Sequence, residues 1–121
     1  MGAVVIFTSN VVRVADFYAN VLGATDRIDE SSHVRLFSDT EEVVVHAMGR
    51  APTAAATDVP EDRSDVAIKP VFEVAVLDDA LEAVRAWGGF ITDRRFEVDG
   101  LVRHDVCDPD GNVIQLRADV S

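Results

Sequence analysis

His46 and Glu73 are the side chains of this sequence best suited to act as a catalytic base. An imidazole or a carboxylate can accept a proton from a substrate that lies within hydrogen-bond reach. Arg103 and Asp105 stand two residues apart, so on a strand they share one face. If that face is buried, they must pair with each other or with Glu73, or meet a polar ligand; on a rim they form a salt bridge in water. The sequence shows no Ser-His-Asp order, glycine-rich phosphate loop or paired-cysteine spacing.

The charge balance narrows the choice of partners. The chain has 121 residues, of which 11 are Lys or Arg and 22 are Asp or Glu, giving a net charge of -11. This length fits one domain, and the charge disfavours nucleic acid and anionic membranes. A cationic small molecule would be attracted, although acidity also serves solubility alone.

Cysteine usage and hydropathy bear on the compartment. The single cysteine, Cys107, excludes an intrachain disulfide and fits a reducing environment. No apolar run reaches the roughly 20 residues of a membrane span, and residues 1–7 lack a signal-peptide pattern. We expect a cytoplasmic protein.

The candidate side chains fall on elements that occur in the same order in both halves of the chain. In the first half, an apolar run precedes a helical stripe that ends at Gly23. In the second half, a strand precedes a helix for which Asp78 or Asp79 is the expected N-cap, and Gly88-Gly89 ends that helix. The predicted strands span 3–8, 24–28, 33–37, 43–48, 71–76, 90–98, 101–107 and 113–117.

This repeat predicts an α+β fold made of two βαβββ modules in a single domain. Residues 1–48 form the first module, 49–67 a linker or loop, and 68–121 the second module. One helix and four short strands cannot bury a sheet alone. The two sheets are therefore expected to pair, either within one chain or between chains.

Two motifs carry a resemblance to a known family. One is Asp16-Phe17-Tyr18 followed by Val21-Leu22-Gly23, and the other is the stretch DPDGNVIQL at 108–116. With them the sequence resembles the vicinal oxygen chelate superfamily, which includes glyoxalase I, extradiol dioxygenases, fosfomycin-modifying enzymes and bleomycin resistance proteins. The resemblance covers nearly the whole chain outside the linker. It implies a mixed sheet that curls into a cup.

The resemblance also implies where a metal would bind. Metal-dependent members hold a divalent ion with four inward side chains, which the resemblance places on Ala3, His46, Val71 and Gln115. Ala and Val offer no ligand atom, and a neutral Gln is a weaker ligand than the family's Glu. We therefore expect a cup without a cofactor. If the alignment is shifted by two residues, Glu73 replaces Val71, and His46, Glu73 and Gln115 become three metal candidates.

Strand alternation predicts which side chains line the cup. The expected ligand-binding residues are Phe7, His46, Met48, Glu73, Arg103, Asp105 and Gln115, with Val5, Val44, Val71 and Arg117 beside them. The opposite face, with Val4, Ile6, Val74, Val76, Ile114 and Leu116, is expected beneath the helices, and His104 points the same way. An apolar floor with a few polar groups is typical of a binding pocket.

These observations favour a homodimer that binds a small molecule in a metal-free cup and sequesters a drug or metabolite. The aromatic content of 7% is low for a cup that stacks flat drug rings. The alternative is a metal-dependent lyase, isomerase or dioxygenase with an atypical ligand set. A third possibility is a metal-independent isomerase or a subunit with a structural role.

Overall fold

The computed structural model describes residues 2–48 and 67–120. Both modules have the order strand, helix and three strands, which confirms the predicted repeat. The elements are β1 (Ala3–Thr8), α1 (Val11–Val21), β2 (Asp26–Asp29), β3 (His33–Phe37), β4 (Glu42–Ala47), β5 (Val71–Glu73), α2 (Leu77–Ala86), β6 (Phe90–Val98), β7 (Leu101–Cys107) and β8 (Val113–Asp119). Except for Ala67, the linker predicted at 49–67 lies outside the described residues.

Each module contributes one four-stranded sheet. The strand orders are β1-β4-β3-β2 and β5-β8-β7-β6. The first strand of each module runs parallel to the last, and the other neighbours are antiparallel. Both sheets are therefore mixed and open, as the predicted cup requires.

Helix α1 forms where the apolar stripe was predicted. The Asn10 side chain caps its start by accepting from the backbone N–H of Arg13 at 3.2 Å. The stripe of Val14, Phe17, Tyr18 and Val21 is buried against the core. After the C-cap Leu22, Gly23 adopts a φ of 64°, a conformation that glycine accepts without a Cβ clash.

Helix α2 begins earlier than predicted. Its N-cap is Val76, without a side-chain hydrogen bond, so the prediction of an aspartate N-cap is wrong. Asp78 and Asp79 instead lie in the first turn, where their negative charges interact favourably with the positive end of the helix dipole. Strand β5 ends at Glu73, so Val76 is 53% exposed rather than packed beneath the helices.

One hydrophobic core joins the two modules. Tyr18 of α1 packs against Phe72 of β5 with ring centroids 6.1 Å apart. Gly89 follows α2, and a Cβ there would lie 2.4 Å from the Phe17 ring and 2.6 Å from the Cys107 carbonyl oxygen. The modules approach so closely at this glycine that no larger residue fits without displacement.

The helices of the described residues are too short or too polar to cross a membrane.

Candidate functional site

Alternation along the strands separates a core face from an outer face in each sheet. In β4, Val43 and Val45 are buried beneath α1, whereas Val44 and His46 are half-buried on the other side. Val44 is registered with Val5, and His46 with Phe7. The outer faces, those turned away from the helices, therefore carry the residues predicted to line the cup.

The outer face of the first sheet is a cluster of rings. His46 stacks on His33 with parallel rings 5.6 Å apart, and Phe7 lies 5.6 Å from His46 on its other flank. The Nδ1 atom of His46 donates to the Ala47 carbonyl oxygen at 2.8 Å, which leaves Nε2 as the basic nitrogen. Phe7 is 54% exposed, and Met48 lies exposed beside the end of β1.

The outer face of the second sheet is built around Asp105, which is 2% exposed. Its Oδ2 accepts from Lys69 Nζ at 3.0 Å and from Arg94 Nε at 3.2 Å. Its Oδ1 accepts from Gln115 Nε2 at 3.0 Å. Burial acts to raise the pKa of Asp105, but the donors from Gln115, Lys69 and Arg94 outweigh it and hold the pKa below its ordinary value.

Gln115 separates the two charges that were expected to pair. Its Oε1 accepts from Arg103 Nη1 at 3.2 Å, so Arg103 and Asp105 each contact the amide and not each other. Glu73 pairs with Arg117 through a short hydrogen bond instead of with Arg103. The structure thus brings Arg103, Asp105 and Gln115 together on one face.

Lys69 and Arg94 belong to this network but were missed at the sequence level. Lys69 lies 36 residues before Asp105, so only the folded sheet shows their contact. Arg94 lies at an irregularity of β6, where the register with β7 shifts between Ile91 and Arg95. Such a bulge breaks the two-residue alternation on which the sequence argument depended.

The side chains do not fit the four-cornered metal site implied by the resemblance. Ala3 is registered with Glu42, whereas His46 is registered with Phe7, four residues further along β1. These two corners are about 13 Å apart along the strand. Among residues 2–48 and 67–120, no group of three or more His, Cys, Asp or Glu side chains could hold a metal ion.

The two motifs of the resemblance meet in the interior. Asp108 is fully buried, and its Oδ2 accepts from the Tyr18 hydroxyl at 2.6 Å. Its Oδ1 accepts from the backbone N–H groups of Asp110 and Asn112, which fixes the turn. Burial raises the pKa of Asp108, and burial followed by the Asp108 charge raises the pKa of Tyr18. This pair joins the modules and lies away from the outer faces.

An open groove of about 440 Å³ lies between the modules, where α1 ends and α2 begins. It is lined by residues 20–23, 38–40, 73–76, 79 and 80. Of the residues predicted to bind a ligand, only Glu73 borders it. The groove and the predicted cup are therefore different surfaces.

Solved structures resemble this architecture along nearly the whole chain. A glyoxalase/bleomycin resistance protein from Albidiferax ferrireducens T118 superposes with a TM-score of 0.74 at 17% identity, over 99% of this chain and 98% of that one. The chain has the glyoxalase/bleomycin-resistance fold. The predicted resemblance to the vicinal oxygen chelate superfamily is thus confirmed at the level of the fold.

Further structures with the glyoxalase/bleomycin-resistance fold match similarly. A glyoxalase/bleomycin resistance protein/dioxygenase family enzyme from Burkholderia phytofirmans PsJN matches with a TM-score of 0.70 at 17% identity, over 98% of this chain and 97% of that one. A fosfomycin resistance protein from Mesorhizobium loti gives a TM-score of 0.68 at 11% identity, with coverages of 99% and 92%. The sequence matches no protein-family model, and no curated protein matches it.

Proposed function

We propose that this protein binds a small molecule on the outer faces of its sheets and holds it without a metal ion and without converting it. The observation that carries the proposal is the network around Asp105. Gln115 and Asp105 are buried there, fixed by hydrogen bonds, and bordered by the exposed side chain of Val71. Fixed polar groups beside apolar surface give a ligand both orientation and contact area.

The positions of the two candidate bases support binding rather than catalysis. The carboxylate of Glu73 is engaged in an ion pair with Arg117. His46 stands between the rings of Phe7 and His33, and no carboxylate of the described residues contacts it. The backbone carbonyl oxygen of Ala47 orients the His46 ring, and the carboxylate that would complete a triad with it is absent from the described residues.

A homodimer is part of the proposal. Strands β1 and β5 are edge strands of their sheets, and Val5, Phe7 and Val71 on them are 51%, 54% and 41% exposed. Unpaired strand edges with apolar side chains favour association, and a two-fold partner covers both edges at once. Two chains would then enclose clefts that one chain leaves open.

Native mass spectrometry of the protein purified without chelator tests this function. We expect a dimer mass without divalent metal, and extra mass that is released by denaturation and identifies the ligand. Gln115→Ala should reduce that extra mass, because it removes the amide that bridges Arg103 and Asp105. Arg85→Gln on the surface of α2 is the matched control and should retain it.

The same experiment distinguishes the alternative. About one divalent ion per chain, lost in both His46→Ala and Gln115→Ala, would replace the proposal with a metal-dependent lyase, isomerase or dioxygenase. A metal-free monomer that carries no small molecule would contradict the proposed binding function.

A further inference from the structure

Two arginines lie directly opposite each other on the outer face of the second sheet. Arg103 of β7 is registered with Arg117 of β8. The same row continues to Glu73 of β5 on one side and to Phe96 of β6 on the other. Directly opposed side chains on antiparallel strands have Cβ atoms about 5 Å apart, and like charges in that position repel. This row therefore requires a negative charge.

The described residues supply only part of that charge. In this row Glu73 pairs with Arg117. Arg103 contacts the neutral Oε1 atom of Gln115. Within this row one carboxylate, Glu73, faces two guanidinium groups, although in the whole chain 22 acidic residues stand against 11 basic ones. A local excess of positive charge in an acidic protein selects an anion.

The geometry suits an oxyanion in particular. A guanidinium presents its N–H groups as a planar fork that matches the two oxygens of a carboxylate or phosphate. The Nε atom of Arg117 is buried without a hydrogen-bond partner, and Arg103 is half-buried. Their partial removal from water strengthens an ionic contact with a ligand relative to the same contact at an exposed surface.

Apolar side chains border the arginine row. Phe96, in the same row, is 44% exposed, and Val71, registered with Gln115, is 41% exposed. An anion that is also partly apolar can contact both kinds of surface, which inorganic ions cannot do.

We propose that Arg103 and Arg117 form an oxyanion site for a small organic carboxylate or phosphate whose apolar part lies on Phe96 and Val71. The site rests on the proposed binding function and names its ligand class. It reverses the expectation from the net charge, which favoured a cationic ligand. Arg117 donates to the carboxylate of Glu73, which therefore competes with an incoming anion.

Titration with defined probes tests the site. Phenylacetate and phenyl phosphate are the anionic probes, benzylamine is the cationic one, and affinities are measured by calorimetry with binding mapped by amide chemical shifts. We expect both anions to bind, with shifts concentrated around residues 96, 103 and 117. The stronger of the two identifies the oxyanion. Benzylamine should not shift these residues.

Two substitutions are expected to change the affinity for the anion in opposite directions. Arg103→Gln should weaken anion binding about tenfold or more, because it removes a charge-assisted contact. Glu73→Gln should strengthen binding, since it removes the competing carboxylate, whereas a purely structural ion pair predicts no gain. Arg85→Gln on α2 is the control and should bind as the unchanged protein does. Urea unfolding establishes whether each variant is folded. If Arg103→Gln does not fold, the chemical-shift map of the unchanged protein tests the site by itself.

The outcomes separate this site from the proposed function. Equal anion binding by the unchanged protein and Arg103→Gln, or shifts located elsewhere, would overturn the oxyanion site. A neutral or cationic molecule found by mass spectrometry would overturn it too, yet would leave the binding function intact. If no molecule accompanies the purified protein and no probe binds, both proposals fail.

Discussion

The outer face of sheet β1-β4-β3-β2 carries stacked rings, whereas that of sheet β5-β8-β7-β6 carries a network of ionised side chains. On the first face, His33, His46 and Phe7 contact one another through ring surfaces. On the second face, Asp105 and Gln115 are buried and hydrogen-bonded. The two faces occupy equivalent places in modules of the same topology.

The core faces of the sheets do not differ in this way. Val43 and Val45 in β4 pack beneath α1 as Ile114 and Leu116 in β8 pack in the same core. Both modules therefore bury one apolar face of their sheet in the shared core. The outer faces, by contrast, carry different side-chain chemistry in the two modules.

The largest change in the free energy of unfolding is expected at the buried Asp105 network, which distinguishes the outer face of the second sheet from that of the first. Asp105→Ala should lower the free energy of unfolding by about 2–4 kcal/mol, because it removes the buried acceptor that Lys69, Arg94 and Gln115 share. Glu42→Ala breaks the Arg35 pair on the first face, which is more exposed, and should cost less than about 1 kcal/mol. Urea denaturation measures both. Equal losses would show that the two ion pairs are equivalent.

Tyr18→Phe tests whether the modules differ in stability as well as in chemistry. It removes a 2.6 Å hydrogen bond to the buried Asp108, whose other donors remain, so we expect a loss of about 1–2 kcal/mol. Because one core joins the modules, calorimetry should still show a single transition at a lower temperature. Two separated transitions would indicate that the modules unfold independently.

Acid should affect the two buried carboxylates in opposite directions. The lowered pKa of Asp105 means that its contribution is complete above the ordinary value of 3.8 and is lost as pH falls through the folded pKa. The raised pKa of Asp108 means that its contribution is present below 3.8 and is lost as pH rises through the folded pKa. The stability difference between the unchanged protein and Asp105→Asn should therefore shrink on acidification, and that for Asp108→Asn should grow.

Urea unfolding at several pH values between about 3 and 6 measures these differences. Parallel curves for the two variants would contradict the opposite signs. Val12→Ala, an exposed substitution of a side chain that does not ionise, is the control and should give a constant difference.

The smallest change in the free energy of unfolding is expected for a substitution among the rings on the outer face of the first sheet. Phe7 is 54% exposed, so Phe7→Ala should change the free energy of unfolding of the monomer by less than about 1 kcal/mol. If β1 lies at a dimer interface, the same change should weaken association, which analytical ultracentrifugation measures. A large loss of monomer stability would instead show that Phe7 belongs to the core.

The sequence was sufficient to predict the module repeat, because Val14, Phe17 and Tyr18 mark the first helix by their spacing and alternation marks the strands. It was less reliable at the start of α2, where Val76 and Leu77 continue the apolar run of β5 and the helix begins before its aspartates. Where a strand and a helix share one continuous apolar run, no residue in that run marks the point at which the strand pattern gives way to the helical one.

The candidate site was predicted only in part. Arg103, Asp105 and Gln115 were predicted from strand alternation, and the register of β7 with β8 brings them together. Lys69 reaches Asp105 from outside any strand, and Arg94 reaches it beside a bulge, so neither position follows from a two-residue period. The choice of ion-pair partners depends on the length and conformation of each side chain. The spacing of residues in the sequence does not determine it.

The parallel pairing of β5 with β8 sets the order in which the second module can form during synthesis. Val71 is registered with Gln115, and β8 lies between β5 and β7. When the ribosome has released β5, β8, its neighbour among the strands of residues 67–120, is still to be translated. The antiparallel β6–β7 ribbon can form from nearby residues, but the sheet closes only when β8 inserts. Because such a long loop must close first, this step is expected to be slow, and it exposes β5 to chaperones until it is complete.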